Sequence, residues 1–167
     1  AYNSPKFWLK AEQPDSIEVL RDVSSKVIVD SSVDLGSQRT NPMPAGRTVV
    51  ADNGVGITVM SVDSDAWPEI QEENMFNSPP KEGYRFNMIK VRIQLVEGSF
   101  DEELTVSDFD FEAVGSSAII FSASDCGVIS ESLYASLFKG GVAEGNLCVE
   151  VPESETDLLI YYESAAY

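Results

Sequence analysis

The sequence predicts an all-β fold, an antiparallel β-sandwich with an N-terminal extension, and three observations predict it. Val, Ile, Phe and Tyr recur in short blocks separated by Gly, Pro, Asn, Asp and Ser, the punctuation of strands and turns. No stretch of ten or more residues sustains a helical period. Residues 84–96 alternate apolar and polar side chains, as a strand between two environments must.

The predicted strands, in order, are 26–30, 47–51, 55–62, 84–96, 108–114, 118–121, 133–138, 144–151 and 157–162. In the longest, Tyr84, Phe86 and Met88 alternate with Arg85 and Asn87, and Ile89, Val91, Ile93 and Leu95 then alternate with Lys90, Arg92 and Gln94. The apolar parity slips at Met88-Ile89. A strand with one buried face changes parity only through an extra residue, which predicts a β-bulge or bend there, with the strand passing from one sheet to the other. Between strands, residues 63–83 hold Trp67-Pro68, an acidic run and Asn77-Ser78-Pro79-Pro80, and consecutive prolines exclude a central ladder position, so a long exposed loop is expected. Phe138-Lys139-Gly140-Gly141 marks a turn, and Val151-Pro152 closes a strand.

With 167 residues and 43% hydrophobic composition, the chain suffices for one core, read as a domain over 38–167 preceded by an extension over 1–37. The extension is not linker-like, because it carries Phe7, Trp8, Leu9, Ile17, Val19 and Leu20. These residues either lay an extra strand on their own domain or pair with the edge of a neighbouring copy, and with Trp67 they are the candidate interaction residues. The alternative for Trp8 and Trp67 is to cover an end of the core. No internal repeat is visible.

A formal charge of −17, from 28 acidic and 11 basic residues, argues against nucleic acid or an anionic membrane as partner, since both require a positive footprint. No run of about 18 apolar residues is present, so no transmembrane helix is expected. The start at Ala1-Tyr2 carries no basic n-region or apolar h-region, which fits either a mature exported chain or a trimmed one. The chain has no histidine, which removes Ser-His-Asp and Cys-His machinery. No nucleophile elbow, phosphate loop, dinucleotide fingerprint or Cys-x-x-Cys pair appears, and paired carboxylates in so acidic a chain are expected by chance, so a non-enzyme is expected.

Cys126 and Cys148 are the only cysteines. In a turn-rich β chain they read as one disulfide, worth roughly 3 kcal/mol by chain entropy, and hence as a sign of an oxidising compartment. The alternative is two unpaired thiols in a reducing one. Cys126 lies in Ser124-Asp125-Cys126-Gly127, and Cys148 is opposite in parity to Leu147, Val149 and Val151, so the bond would staple a loop to the outer face of a strand. No cofactor is required. Calcium is the one metal worth considering, with Asp63, Asp65, Asp101 and Glu103 as ligand candidates beside Glu102, Asp108 and Asp110, although none matches the EF-hand spacing and solvated carboxylates are the commoner case.

Three stretches lie in order through the first half: Gln38-Arg39-Thr40-Asn41-Pro42-Met43-Pro44-Ala45-Gly46, Ile57-Thr58-Val59-Met60-Ser61-Val62, and Asn77-Ser78-Pro79-Pro80-Lys81-Glu82-Gly83-Tyr84-Arg85-Phe86, which leads into Lys90-Val91-Arg92-Ile93. Cys126-Gly127-Val128-Ile129, Leu137-Phe138-Lys139-Gly140-Gly141 and Gly145-Asn146-Leu147-Cys148-Val149-Glu150-Val151-Pro152 follow in the second half. Together, over about residues 38–163, they resemble an uncharacterised bacterial extracytoplasmic domain family, often borne by lipoproteins or membrane-anchored proteins. The resemblance implies an immunoglobulin-like sandwich similar to that of a secreted mycobacterial antigen, export to the cell surface or beyond, and the Cys126–Cys148 bond. It carries no catalytic residue. The Ser/Thr/Pro/Gly linker that often precedes the family's domain is missing from this sequence, which leaves the N-terminal segment as the place for a role of its own.

The function expected first is a non-catalytic extracellular or cell-surface interaction or structural module, with a protein or itself as partner. A second expectation is a self-assembling fibre subunit that donates Phe7–Leu9 or Ile17–Leu20 of its N-terminal segment as a strand to the next copy, in which case deleting 1–37 abolishes assembly and leaves a folded monomer. The third is a calcium-assisted binder of a small ligand or carbohydrate through the loops of Trp67 and of residues 101–103.

Overall fold

The computed structural model describes residues 4–18 and 34–164. In chain order these form β1 (Lys6–Lys10), β2 (Thr48–Val50), β3 (Val55–Asp63), a helix α1 (Trp67–Glu73), β4 (Tyr84–Leu95), β5 (Leu104–Ser107), a 3₁₀ turn at Asp108–Asp110, β6 (Phe111–Val114), β7 (Ile120–Ser122), β8 (Tyr134–Leu137), β9 (Val142–Pro152) and β10 (Leu159–Glu163). One sheet has the order β1-β10-β6-β7, the second β2-β3-β4-β9, and β5 pairs with β8 as a separate ribbon. Every strand pair is antiparallel. The fold is thus the all-β sandwich expected. None of its described helices is long and apolar enough to cross a membrane.

The two sheets close on one core. Leu9, Phe111, Ala113, Ile160 and Tyr162 from the first meet Val49, Ile57, Val59, Ile89, Val91, Ile93, Val149 and Val151 from the second, while the ribbon adds Val106. Alternation puts these residues on facing surfaces, and each fully buried Val, Leu or Ile contributes about 1.5–3 kcal/mol of transfer free energy. Phe111 and Tyr162 meet at a tilt of 48° with 5.2 Å between centroids within this core.

The parity slip in β4 has a different cause from the one expected. Against β9 the strand runs without interruption from Tyr84↔Pro152 to Gln94↔Val142, so there is no bulge at Met88-Ile89 and no passage between sheets. Ile89, Val91, Ile93 and Leu95 face the main core, whereas Phe86 and Met88 face outward into a second apolar cluster with Ala66, Ile70, Cys126 and Cys148. A strand covered on both faces at one end needs no extra residue to show both parities. The register shift lies instead in β3, between Val59 and Ser61.

The loop expected over 63–83 contains α1. Its first turn holds Pro68, where the missing N–H would be unpaired in any case, and Glu69, which complements the helix dipole. Ile70 is its buried anchor, and the helix ends at extended Asn74, whose N–H donates to the Ile70 carbonyl. Other boundaries move as well: residues 108–110 of the expected 108–114 strand form the 3₁₀ turn, and β5 was not anticipated. The strand expected at 26–30 lies outside the described residues.

β1 pairs with β10 from Lys6↔Glu163 to Lys10↔Leu159. Its other edge is also bonded within the chain. Trp8 N–H donates to Gly36 O at 2.7 Å, Met43 N–H to Trp8 O at 2.8 Å and Lys10 N–H to Met43 O at 2.9 Å. Residues of the extension are therefore integral to the sandwich, with Leu9 fully buried in its core.

Candidate functional site

The outer face of the second sheet carries the most constructed surface feature. Phe86 and Met88 of β4 and Cys148 of β9 form its floor, and α1 lies over them through Ala66 and Ile70. Trp67 meets Phe86 edge-on at 6.1 Å between centroids. Cys126 and Cys148 are joined in a disulfide with Cα atoms 5.8 Å apart. The bond pins the 124–129 loop onto the outer face of β9, where the strand's parity located it.

Asn77 ties the end of the α1 segment to that loop. Its Nδ2 donates to Ile70 O at 2.9 Å and to Val128 O at 2.7 Å, while Oδ1 accepts Val128 N–H at 2.9 Å. Gly127 has φ +80° and passes so close to Asn77 that a Cβ would sit 2.5 Å from Oδ1. Only glycine suits both conditions. Out of this braced base stand Met75, Phe76 and Val128, 80%, 87% and 54% exposed.

Beside the tip runs a groove of about 410 Å³, whose walls include Phe76, Pro79, Phe86, Asp125 and Glu150. Lys81 spans it: its Nζ lies 3.0 Å from Glu150 Oε2, and its N–H donates to Glu150 Oε1 at 2.8 Å. Hydrogen bonding and charge attraction from Glu150 hold the Lys81 ammonium above its ordinary value. Among the described residues, Asp125 and Glu150 are the carboxylates in the groove's lining, and α1, which leads to the tip, carries exposed Glu69, Glu72 and Glu73.

On the outer face of the first sheet, Trp8 packs on Tyr161 at 4.5 Å and Lys6 Nζ sits 4.7 Å from the same ring. The Tyr161 hydroxyl donates to Glu112, and burial followed by that carboxylate pushes the phenol well above its ordinary value. A cleft of about 320 Å³ opens there between Phe109, Asp110, Glu112 and Glu163. At one end of the sandwich, Phe100, Phe138 and Val142 are exposed, with Lys139 4.9 Å from the Phe100 ring.

Of the residues singled out in the sequence, Cys126, Cys148 and Trp67 come together at the braced tip. Trp8 lies on the opposite sheet against Tyr161. Phe7, partly buried, packs against the main core, and Leu9 lies within it. Ile17 is exposed, and Val19 and Leu20 lie outside the described residues. The calcium candidates do not converge. Asp63 Oδ1 accepts Asp65 N–H at 2.9 Å, Asp101 N–H donates to Ser99 at 3.1 Å, and among the described residues no three Asp, Glu, His or Cys side chains form a group able to hold a metal. Met75, Phe76 and Val128 were missed. The available signal was two consecutive large apolar residues directly after an acidic run and before Asn-Ser-Pro-Pro.

No family model matches the chain, and no curated protein matches it. Among solved structures, the ycdA protein of Bacillus subtilis, a candidate lipoprotein, aligns with a TM-score of 0.53 at 15% identity over 72% of this chain. The chain spans about a third of that protein, 34% of its length. The yjhA protein of Bacillus subtilis aligns at 0.45 and 16% identity, covering 71% of this chain and 78% of its own. The secreted protein MPT63 of Mycobacterium tuberculosis aligns at 0.47 and 12% identity, covering 71% and 91%. At such identities, what is shared with ycdA is the fold.

Proposed function

We propose that this chain is a non-catalytic interaction module that works outside the cytoplasm and makes contact through the tip of Met75, Phe76 and Val128. The exposure of these side chains on a base locked by the disulfide and Asn77 carries the proposal. Exposed apolar residues gathered on one ordered base, unlike ones scattered singly, mark a contact site. Burying Met75 and Phe76 would contribute about 1.5–3 kcal/mol each, and a pre-ordered base lowers the entropy lost on association.

The Cys126–Cys148 bond supports an oxidising compartment. A candidate lipoprotein built on a similar sandwich fits an envelope or extracellular setting. In the same reading the sandwich is immunoglobulin-like and belongs with the extracytoplasmic family that residues 38–163 resemble. No cofactor is invoked. Strand donation by Phe7–Leu9 has less support, since β1 would have to leave hydrogen bonds on both edges and withdraw Leu9 from the core.

The test places a photoreactive benzoylphenylalanine at position 76, and at Phe100 as control, in cells that export the protein. A conjugate specific to position 76, suppressed by Val128→Asp, is expected. Equal labelling at the two positions, or none at 76, refutes the tip as the contact surface.

A further inference from the structure

The partner's chemistry follows from what surrounds the tip. We infer that Met75 and Phe76 dock on an apolar patch of a second protein that is ringed by Lys and Arg; the inference rests on the tip being the contact surface and deepens it.

Three features lead there. Glu69, Glu72 and Glu73 precede the tip in α1, and Asp125 lines the groove together with Phe76. Lys81, the one cation lining that groove among the described residues, is engaged by Glu150. The chain as a whole carries −17, so the local field is reinforced rather than offset at longer range. An apolar centre with an acidic rim is complementary to an apolar centre with a basic rim.

Other occupants fit less well. A second copy would set the same carboxylates against themselves, and −17 against −17. An anionic bilayer repels the rim. A zwitterionic one takes up Phe and Met readily, but interfacial anchors flank such residues with Lys and Arg, whereas Glu72, Glu73 and Asp125 would here be drawn toward the headgroups.

The experiment uses the disulfide-bonded protein and three short synthetic amphipathic helices that share one leucine face and differ in a lysine, serine or glutamate polar face. Vesicles of phosphatidylcholine, alone and mixed with phosphatidylglycerol, are measured alongside. The lysine peptide is expected to bind at least about tenfold more tightly than the serine peptide at low salt, and Phe76→Ser to weaken it by at least about tenfold. Glu72→Lys with Glu73→Lys should erase the preference for lysine, Phe100→Ser should change nothing, and amide shifts should gather at residues 74–81 and 125–129.

Equal, Phe76-dependent binding of the lysine and serine peptides overturns the basic partner and leaves the tip as an interaction surface. Lysine-peptide binding indifferent to Phe76→Ser is general charge attraction and overturns both. Phe76-dependent vesicle binding assigns the tip to lipid and overturns the protein partner. Phe76 is nearly fully exposed, so its replacement does not endanger folding.

Discussion

Glu155 shows how one buried charge can join separate parts of the sandwich. It is 3% exposed, and its Oε1 accepts Ser117 N–H at 2.7 Å and Ser116 Oγ–H at 3.2 Å. Arg85 reaches the same segment, donating to Glu155 O at 3.0 Å and Glu153 O at 2.8 Å. Burial alone would raise this carboxyl, but the serine hydrogen bonds together with the Arg85 charge outweigh it and hold the group below its ordinary value of 4.5. A carboxyl lowered by folding contributes stability that is complete above its unfolded value and is lost as pH falls through the folded one. Urea midpoints measured from about pH 5 to about pH 2 should therefore drop more steeply for the native protein than for Glu155→Gln. Equal slopes would remove Glu155 from the acid response.

Among elements, α1 depends on the disulfide more than on itself. Seven residues are too few to be helical alone, and only Ala66 and Ile70 anchor the segment in depth. Replacing Cys126 and Cys148 with serine should cost about 3 kcal/mol in urea unfolding. The loss should appear first as faster hydrogen exchange at the Asn74 amide, which caps the helix on Ile70 O, while the amides of β4 and β9 stay protected. Simultaneous loss of protection in α1 and β4 would show instead that the bond supports the whole sandwich.

For the molecule as a whole, the sandwich was legible wherever pattern is local. Ile57-Thr58-Val59, Ile89 through Leu95 and Leu147 through Val151 alternate, and all became strands facing one core. Cys148 was legible too, since its parity already placed the disulfide outside. The double parity of β4 was visible but underdetermined, because a bulge and a second apolar layer leave the same trace in sequence, and only the position of α1 separates them. α1 itself was hidden because two turns with a single buried residue in the helix give no sustained period. The clamping of β1 by residues 36 and 43 was out of reach for another reason: pairing between distant backbone groups leaves no mark on side-chain order. The exposed tip was overlooked because apolar residues between turn signals read as ordinary loop filling until their depth is known.

The pairing of the first and last strands bears on how the protein would respond to a pull. Lys6 lies opposite Glu163, so the two ends of the described chain leave the sandwich side by side, from one end of the β1–β10 ladder. Tension applied between them would load the ladder's hydrogen bonds one after another, as in opening a zip, rather than all at once in shear. Single-molecule stretching through the two ends should peel β1 away at a far lower force than stretching between Lys6 and an anchor introduced at Glu153, in the turn beyond the Lys10–Leu159 end of the ladder. A pull on both flanks of that ladder is thus the direction in which its register offers least resistance.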